Sequence, residues 1–296
     1  MKGSPSTGSG QSEIRVSDAI RDAAARLAAT SDTARLDAEL LMAHALGVSR
    51  SDLLLRHTGD PVPDGFAHLV SRRAGREPVA YILGRQEFFG LDLMVSPAVL
   101  IPRGDSECVV EAALAAAPHA RCVLDLGTGS GALLLALLSR LPQAEGVGID
   151  ASAPAIEVAM ANARQLGCAD VATFRLRNWA LPGWADDLGR FDLVIANPPY
   201  VETTVELEPD VRDFEPASAL YAGADGLDDY RLLIPQLPAL LTETGVAVLE
   251  IGHQQAAAVT EIARNHGFVA QVRQDLGQRD RAVVLRITLG KGETSS

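Results

Sequence analysis

Four consecutive residues in the second half of the chain, Asn197-Pro198-Pro199-Tyr200, combine hydrogen-bond acceptors with an aromatic ring. They follow the apolar segment FDLVIA, which predicts a buried strand, and the two prolines end that strand in a stiff, extended turn. The Asn197 side-chain oxygen and the Pro198 carbonyl can both accept from one planar NH₂ group, while the Tyr200 ring lies over or beside it. The tetrapeptide therefore predicts a site that holds a carboxamide or an aromatic amine.

Holding both N–H bonds prepares a poor nucleophile for reaction. The lone pair of an amide or aryl nitrogen is delocalised, and two acceptors favour a geometry in which this pair points out of the plane. Positioning and charge stabilisation then provide most of the catalysis of transfer to an in-line methyl group, and no strong general base is required. We therefore predict catalytic roles for Asn197, Pro198 and Tyr200, and substrate binding by these three together with Pro199. A proline turn without chemistry is the alternative.

A second motif predicts a pocket for a nucleoside cofactor. The loop Gly127-Thr128-Gly129-Ser130-Gly131 lies between the strand pattern CVLDL and the helix pattern ALLLALLSRL. Such a turn exposes backbone N–H groups and the positive end of a helix at the carboxyl edge of a sheet, where glycine lets a ligand approach closely. The next strand ends at Asp150, 23 residues after Gly127. Its carboxylate can accept from both hydroxyls of a ribose.

The end of the third predicted strand, Asn178-Trp179, completes the predicted cofactor site. There the side-chain amide can hydrogen-bond an adenine base and the indole can pack on it, although an ordinary structural tryptophan is a serious alternative. Together these residues indicate an adenosine-containing cofactor, but they do not separate NAD from S-adenosylmethionine (SAM).

Alternating strand and helix patterns from Asp105 onward must position these residues. Strands are predicted at 122–127, 146–150, 171–175, 191–197 and 246–252, an arrangement typical of a doubly wound, mostly parallel α/β sheet. Two further strands, near 268–274 and 282–288, have too few residues between them for a parallel crossover. We therefore expect seven strands, with an antiparallel hairpin at one edge.

Before Tyr81 the apolar residues recur at helical spacing, which predicts a small helical N-terminal domain over 13–80. Near-alternating apolar residues over 81–104 predict a hairpin connector to a catalytic domain at 105–290. The Gly-, Ser- and Pro-rich ends, 1–12 and 291–296, are predicted to be disordered tails.

Composition excludes several classes of function. The chain has 296 residues and a net charge of −12, and this net negative charge lies after Gly90, because acidic and basic residues balance before it. Because Lys and Arg contacts to phosphates supply most non-specific affinity, a bare nucleic-acid partner is disfavoured. Three cysteines and six histidines show no metal-ligand spacing, so no metal is expected. No apolar run approaches the roughly 20 residues of a membrane span, and the start has no signal-peptide pattern, so we expect a cytoplasmic protein.

The glycine loop, Asp150 and NPPY resemble a class I SAM-dependent methyltransferase that acts on a planar nitrogen. Nucleic-acid adenine methyltransferases and protein-glutamine methyltransferases share NPPY. Three further segments, 76–107, 211–231 and 249–255, are similar to those of the HemK/PrmC family, and the resemblance covers nearly all of 17–288. Members of that family methylate the glutamine of the Gly-Gly-Gln motif in class I peptide-chain release factors.

This resemblance implies SAM as the cofactor, a release factor as the partner, and an N-terminal domain that helps to dock it. By position, it implies SAM contacts at 127–131, Asp150, Trp179 and Asn197, and a grip on the substrate glutamine by Asn197 to Tyr200. We expect a monomer. The alternatives are a ribosomal-protein glutamine methyltransferase, a nucleic-acid adenine methyltransferase, and a SAM-binding module without catalysis.

Two positions depart from the family pattern: Gly104 replaces a proline, and Asn178 replaces an aspartate, which should weaken adenine binding modestly. Other charged residues keep two interpretations. Three of them either support the cofactor lid or the glutamine pocket, or form plain surface ion pairs: Arg103, Asp105 and Glu107. Glu250, at the end of the fifth strand, either supports the site or acts as a solvated or helix-capping residue.

Overall fold

The computed structural model describes residues 14–288, so the predicted tails at 1–12 and 291–296 lie outside the described residues. The chain divides into two compact units, Met1–Leu83 and Gly84–Ser296. The division falls after Leu83 because a short helix, Val79–Leu83, continues through the first residues of the predicted connector.

The N-terminal unit is helical and has its own apolar core. Its helices are α1 (Val16–Leu27), α2 (Ala34–Leu46), α3 (Arg50–Asp52), which continues into a π-helical turn (Leu53–His57), α4 (Phe66–Ala74) and α5 (Val79–Leu83). Ile20, Leu41 and Phe66 are among the buried residues that contact one another at its centre. A buried ion pair joins α2 to α4, since the Arg73 guanidinium donates to the Asp37 carboxylate at 2.7 Å.

The second unit is built on a seven-stranded sheet. A separate two-stranded hairpin, β1 (Arg85–Phe88) and β2 (Leu91–Met94), precedes it. The strands of the sheet are β3 (Cys122–Leu126), β4 (Glu145–Asp150), β5 (Ala172–Leu176), β6 (Phe191–Ala196), β7 (Leu241–Glu250), β8 (Phe268–Gln274) and β9 (Asp280–Ile287). In the order β5-β4-β3-β6-β7-β9-β8, the first five are parallel and β9 runs antiparallel to both of its neighbours. The predicted parallel sheet with an antiparallel edge hairpin is confirmed.

Helices cover both faces of this sheet. They are α6 (Glu107–Ala116), α7 (Ala132–Leu138), α8 (Ala153–Gln165), α9 (Pro209–Arg212), α10 (Asp228–Leu233), α11 (Leu237–Leu240) and α12 (Ala256–Asn265). Successive strand residues face opposite layers, so that Leu193 contributes to one apolar cluster and Val194 to the other. Because both faces are covered, the central strands are apolar throughout rather than alternating. No helix within 14–288 combines the length and apolar character needed to cross a membrane.

A single buried side chain, Asn162 of α8, joins the hairpin to the glycine loop. Its oxygen accepts from the Met94 N–H at 2.7 Å, and its NH₂ group donates to the Met94 carbonyl at 3.0 Å and to the Ser130 carbonyl at 2.9 Å. An amide buried with its donors and acceptor paired in this way holds both segments in one relative position.

Candidate active site

The glycine loop requires backbone conformations that other residues rarely adopt. After β3 ends at Leu126, Gly127, Gly129 and Gly131 have φ values of +74°, +53° and +83°. A Cβ on Gly127 would also lie 3.0 Å from the ring of Trp179. The chain therefore turns sharply from β3 into α7. Most N–H groups of the loop are paired within the protein, since Gly127 and Thr128 donate to the Ile149 carbonyl at 2.9 and 2.8 Å and Gly131 donates to the Thr128 carbonyl at 2.7 Å.

Two carboxylates hold this loop. The Thr128 hydroxyl donates to Asp125 at 2.7 Å, and burial raises the pKa of Asp125 to about 7. Asp150, at the end of β4, accepts from the Gly129 N–H and from the Ser152 N–H, each at 2.9 Å. The Asp150 carboxylate thus connects the loop to the start of α8. Asp125 was not singled out in the sequence, because an acidic residue inside an apolar strand has no spacing signal of its own.

A large cavity of about 470 Å³ lies over the loop, within the range of small-molecule sites. Its wall contains nearly all of the predicted cofactor residues: Gly127, Thr128, Gly129, Ser130, Asp150, Asn178, Trp179 and Asn197. Gly131 is not among the lining residues, and it forms the N-cap of α7 instead. The sequence prediction had missed Asp229, which lines the same cavity.

Asn178 and Trp179 lie in the loop after β5 rather than at its end, because β5 pairs with β4 only as far as Leu176. The Asn178 oxygen accepts from the Ala180 N–H at 2.8 Å, which leaves its NH₂ group as the other polar atom of the side chain. The Trp179 indole N–H donates to Asp229 at 3.1 Å, and burial raises the pKa of that carboxyl.

The turn after β6 lies where two cavities adjoin. Asn197 lines the large cavity and also a small cavity of about 130 Å³, whereas Pro199 lines only the large one and Tyr200 only the small one. Pro198 is buried and lines neither. Among residues 14–288, none hydrogen-bonds to the Asn197 side-chain amide, which is therefore available to a ligand.

Tyr200 is fixed at both ends. Its hydroxyl donates to Glu250 at 3.3 Å, and its backbone carbonyl accepts from the Gln255 side chain at 2.9 Å. Burial, together with the nearby Glu250 carboxyl, raises the pKa of Tyr200 well above its ordinary value, so the phenol remains a neutral donor. The ring is thereby held in the wall of the small cavity.

Glu250 is the acidic residue in the lining of the small cavity, with 2% of its surface exposed. Burial raises its pKa to about 7, and its Oε2 has no hydrogen-bond partner within the described part of the chain. The solvated alternative for this residue is therefore wrong.

The connector before α6 reaches both cavities through Arg103. Its guanidinium pairs with the buried carboxylate of Glu215, whose second oxygen accepts from the Ile101 N–H at 3.1 Å. Because Glu215 is buried, the plain surface ion pair is wrong for Arg103. Sequence spacing could not reveal this contact, since the two residues are more than a hundred positions apart.

The two charged residues grouped with Arg103 in the sequence, Asp105 and Glu107, do not line either cavity. Asp105 pairs with Arg281 at 3.0 Å, and Glu107 accepts from the Phe89 N–H at 2.8 Å, which fixes the turn of the β1–β2 hairpin. Within 14–288, no three His, Cys, Asp or Glu side chains come together as a metal site.

Comparisons with known proteins agree with this geometry. Residues 18–84 match the PrmC N-terminal domain and residues 119–268 match a methyltransferase domain. The chain is 44% identical over 264 residues to the release factor glutamine methyltransferase of Geobacter sulfurreducens, covering 86% of this chain and 90% of that one. It is 45% identical over 270 residues to the protein of the same name from Xylella fastidiosa, covering 88% and 95%.

Among solved structures, the hMettl16 catalytic domain in complex with the MAT2A 3′UTR hairpin 6 has a TM-score of 0.56 at 16% identity, covering 75% of this chain and 83% of that one. This likeness shows a shared fold. The family matches and the relatives above 40% identity show more: the chain belongs to the release factor glutamine methyltransferase (PrmC) family.

Proposed function

We propose that this protein transfers the methyl group of SAM to the side-chain amide nitrogen of the Gly-Gly-Gln glutamine in class I release factors. The observation that carries this function is the junction of the two cavities at Asn197. One cavity has a glycine loop and a strand-end carboxylate, and the other has a fixed tyrosine. A methyl donor and a carboxamide can therefore meet at Asn197, which lines both cavities together with Arg103.

The large cavity fits SAM by its size and by its donors and acceptors. Its glycine loop leaves space beside the Trp179 ring that a side chain at position 127 would fill. We propose that Asp150 accepts from the ribose hydroxyls and that Trp179 packs on the adenine. When bound, SAM supplies a methyl group made electrophilic by its sulfonium. Gly131 acts through its backbone, by allowing the chain to turn into α7.

The small cavity supplies the grip on the acceptor. We propose that Asn197 presents its side-chain oxygen to one N–H bond of the substrate carboxamide, and that Pro198, which is buried and outside the lining of the cavity, presents its carbonyl to the other. Tyr200, held by Glu250 and Gln255, provides a rigid ring against the planar group. These residues orient the nitrogen lone pair and exclude water. Most of the rate enhancement comes from this positioning.

The partner is a protein, and the N-terminal domain at 13–80 contributes to its docking. The net charge of −12 supports a protein partner rather than nucleic acid. We propose further that the enzyme acts in the cytoplasm and as a monomer. Gel filtration with light scattering tests the last point, and a dimer mass would contradict it.

A labelling assay tests the function. The protein is incubated with methyl-labelled SAM and, separately, with a release factor, its Gln→Ala variant in the Gly-Gly-Gln motif, ribosomal proteins and DNA. Label is expected on the unmodified release factor alone. Equal label on the Gln→Ala variant would contradict the acceptor, and label on ribosomal protein or DNA alone would contradict the substrate class.

A further inference from the structure

One polar atom of the small cavity, Oε2 of Glu250, has no role in the substrate binding described above. The side chain ends β7, lines the cavity and is 2% exposed. Its Oε1 accepts from the Tyr200 hydroxyl at 3.3 Å, whereas Oε2 has no hydrogen-bond partner among residues 14–288. The buried Ser106 hydroxyl is likewise unpaired there, and it lies close enough to Glu250 to lower the pKa of this carboxyl. Buried polar atoms are nearly always hydrogen-bonded, so an unpaired carboxyl oxygen in a cavity wall indicates a donor that arrives with a ligand.

The charge of this carboxyl is not cancelled by a direct ion pair. Arg281 precedes Ala282, the β9 residue that pairs with Glu250 across the ladder. Its guanidinium pairs with Asp105 at 3.0 Å and with Asp275 at 3.5 Å. Arg103 pairs with the buried glutamate described above. No ion pair within the described residues reaches Glu250 itself. Above its pKa of about 7, the side chain adds one negative charge to the wall.

We propose that Glu250 is a specificity-determining residue, whose carboxylate shares one of the two N–H bonds of the substrate carboxamide with Asn197 and rejects a carboxylate in its place. This inference rests on the proposed function and deepens it, because it states how the site distinguishes glutamine from glutamate. A carboxamide brings N–H donors. A carboxylate brings only acceptors and a second negative charge, and two carboxylates cannot both ionise freely in one buried site.

The Asn197 side chain cannot make this distinction alone, and the Pro198 carbonyl, which is only an acceptor, acts in the same sense as Glu250 but without a charge. The Asn197 amide can rotate by half a turn and present its NH₂ group to a carboxylate, since its two ends differ only in O and N. An ionised Glu250 has no donor to offer in any orientation. The selectivity therefore depends on the buried acid rather than on the asparagine.

The test uses the full chain with SAM at pH 8. Wild-type protein must first methylate a release factor; failure at this step overturns the proposed function and the inference with it. Two release-factor variants at the Gly-Gly-Gln glutamine, Gln→Glu and Gln→Met, then serve as competitive inhibitors. Both keep the docking surface, and they differ in the charge of one side chain. For wild type, we expect the Gln→Glu variant to inhibit at least about tenfold more weakly than the Gln→Met variant, because of like-charge repulsion.

The matched enzyme variants are Glu250→Gln and Tyr200→Phe. Glu250→Gln removes the charge at nearly constant shape, and we expect the two inhibitors to become equal. Tyr200→Phe removes the hydrogen bond to Oε1 but keeps the carboxylate, and it should retain the wild-type difference. The Kd of SAM reports whether Glu250→Gln is folded, since Glu250 does not line the large cavity.

The inference is overturned if Glu250→Gln binds SAM normally and still discriminates as wild type does. Should that variant fail to fold, the wild-type comparison decides, because equal inhibition by the Glu and Met variants contradicts a selecting carboxylate. Loss of discrimination in Tyr200→Phe would assign the selectivity to the phenol instead.

Discussion

The two cavities that meet at Asn197 are built in different ways. The large cavity contains the four consecutive loop residues 127–130 and segments that follow the neighbouring strands, within a wall whose residues range from Phe88 to Leu232. The small cavity collects single side chains that lie far apart in the chain, from Leu100 to Glu250. Backbone conformation shapes the first, whereas side-chain contacts between distant segments shape the second. Each site thus contains a local motif, the glycine loop or the turn at 197–200, but the side chain that fixes Tyr200 in the acceptor site, Glu250, comes from a distant strand.

This difference predicts where mutations act. Changes at the junction should reduce turnover, changes in the large cavity should weaken cofactor binding, and changes at the buried acid of the small cavity should alter stability with pH.

The largest effect is expected for Asn197→Ala. Removing the positioned acceptor should lower kcat about 10²- to 10³-fold, the loss typical of deleting one polar contact to a transition state. The thermal midpoint should change little, and the Kd of SAM should rise less than in Asp150→Ala, because Asn197 is one of several side chains in the cofactor wall. Asn265→Ala, at the exposed end of α12, is the matched control and should react normally. A near-normal kcat for Asn197→Ala would contradict the role of the junction.

Glu250→Gln is expected to change the pH dependence of stability. The folded pKa of about 7 lies above the ordinary value of 4.5, so the folded state favours the protonated carboxyl. Wild type should therefore lose stability as pH rises from 4.5 through 7, and the variant should not. Between pH 5 and pH 8, the variant should gain about 2 to 3 kcal/mol in unfolding free energy relative to wild type.

Urea unfolding at the two pH values measures this gain. Glu261→Gln, at an exposed position of α12, provides the control for removing a carboxylate. If the unfolding free energies of wild type and Glu250→Gln differ by the same amount at both pH values, then folding does not raise the pKa of Glu250.

Asp150→Ala tests the large cavity separately from the small one. The carboxylate supports the glycine loop and, by our proposal, the ribose, so the Kd of SAM should rise about 10- to 100-fold for the loss of charged hydrogen bonds. With saturating SAM, kcat should fall far less than in Asn197→Ala. Calorimetry gives the Kd, and exposed Asp170→Ala is the control. Unchanged affinity would remove Asp150 from the cofactor site.

The smallest effect concerns the connector that borders both cavities. Gly104 begins a 3₁₀ helix, has no left-handed φ, and follows Arg103 at φ −101° and ψ 143°, which suits a residue before proline. Gly104→Pro should therefore raise the unfolding free energy by about 0.4 to 1 kcal/mol. Gly90→Pro is the opposite control, because its φ of +79° is closed to proline. Destabilisation by Gly104→Pro would show that the connector needs its glycine.

The same division between local and distant contacts explains what the sequence predicts. Strands β8 and β9 are predicted as an antiparallel pair because the short connection between them allows nothing else. The glycine loop and the turn after β6 are recognisable because each follows an apolar strand. The bounds differ more for β7, which begins at Leu241 instead of 246, since Leu241 pairs with Phe191 across an irregularity in the ladder.

Side-chain contacts between distant parts of the chain could not be predicted from the sequence. Nothing in the local pattern links Arg103 with Glu215, or Trp179 with Asp229, because each pair depends on how distant loops pack. Glu250 could be noticed as a strand-end acid, but only its burial between β9 and Tyr200 distinguishes a cavity wall from a solvated residue.

The central claim is that a methyl donor and a glutamine carboxamide meet at Asn197. Mass spectrometry of a release factor treated with SAM and the wild-type protein tests it most directly, with Asn197→Ala treated in parallel. We predict one added methyl group, located by fragmentation on the glutamine of the Gly-Gly-Gln motif, and almost none with the variant. A methyl group on any other residue, or equal modification by Asn197→Ala, would contradict the claim.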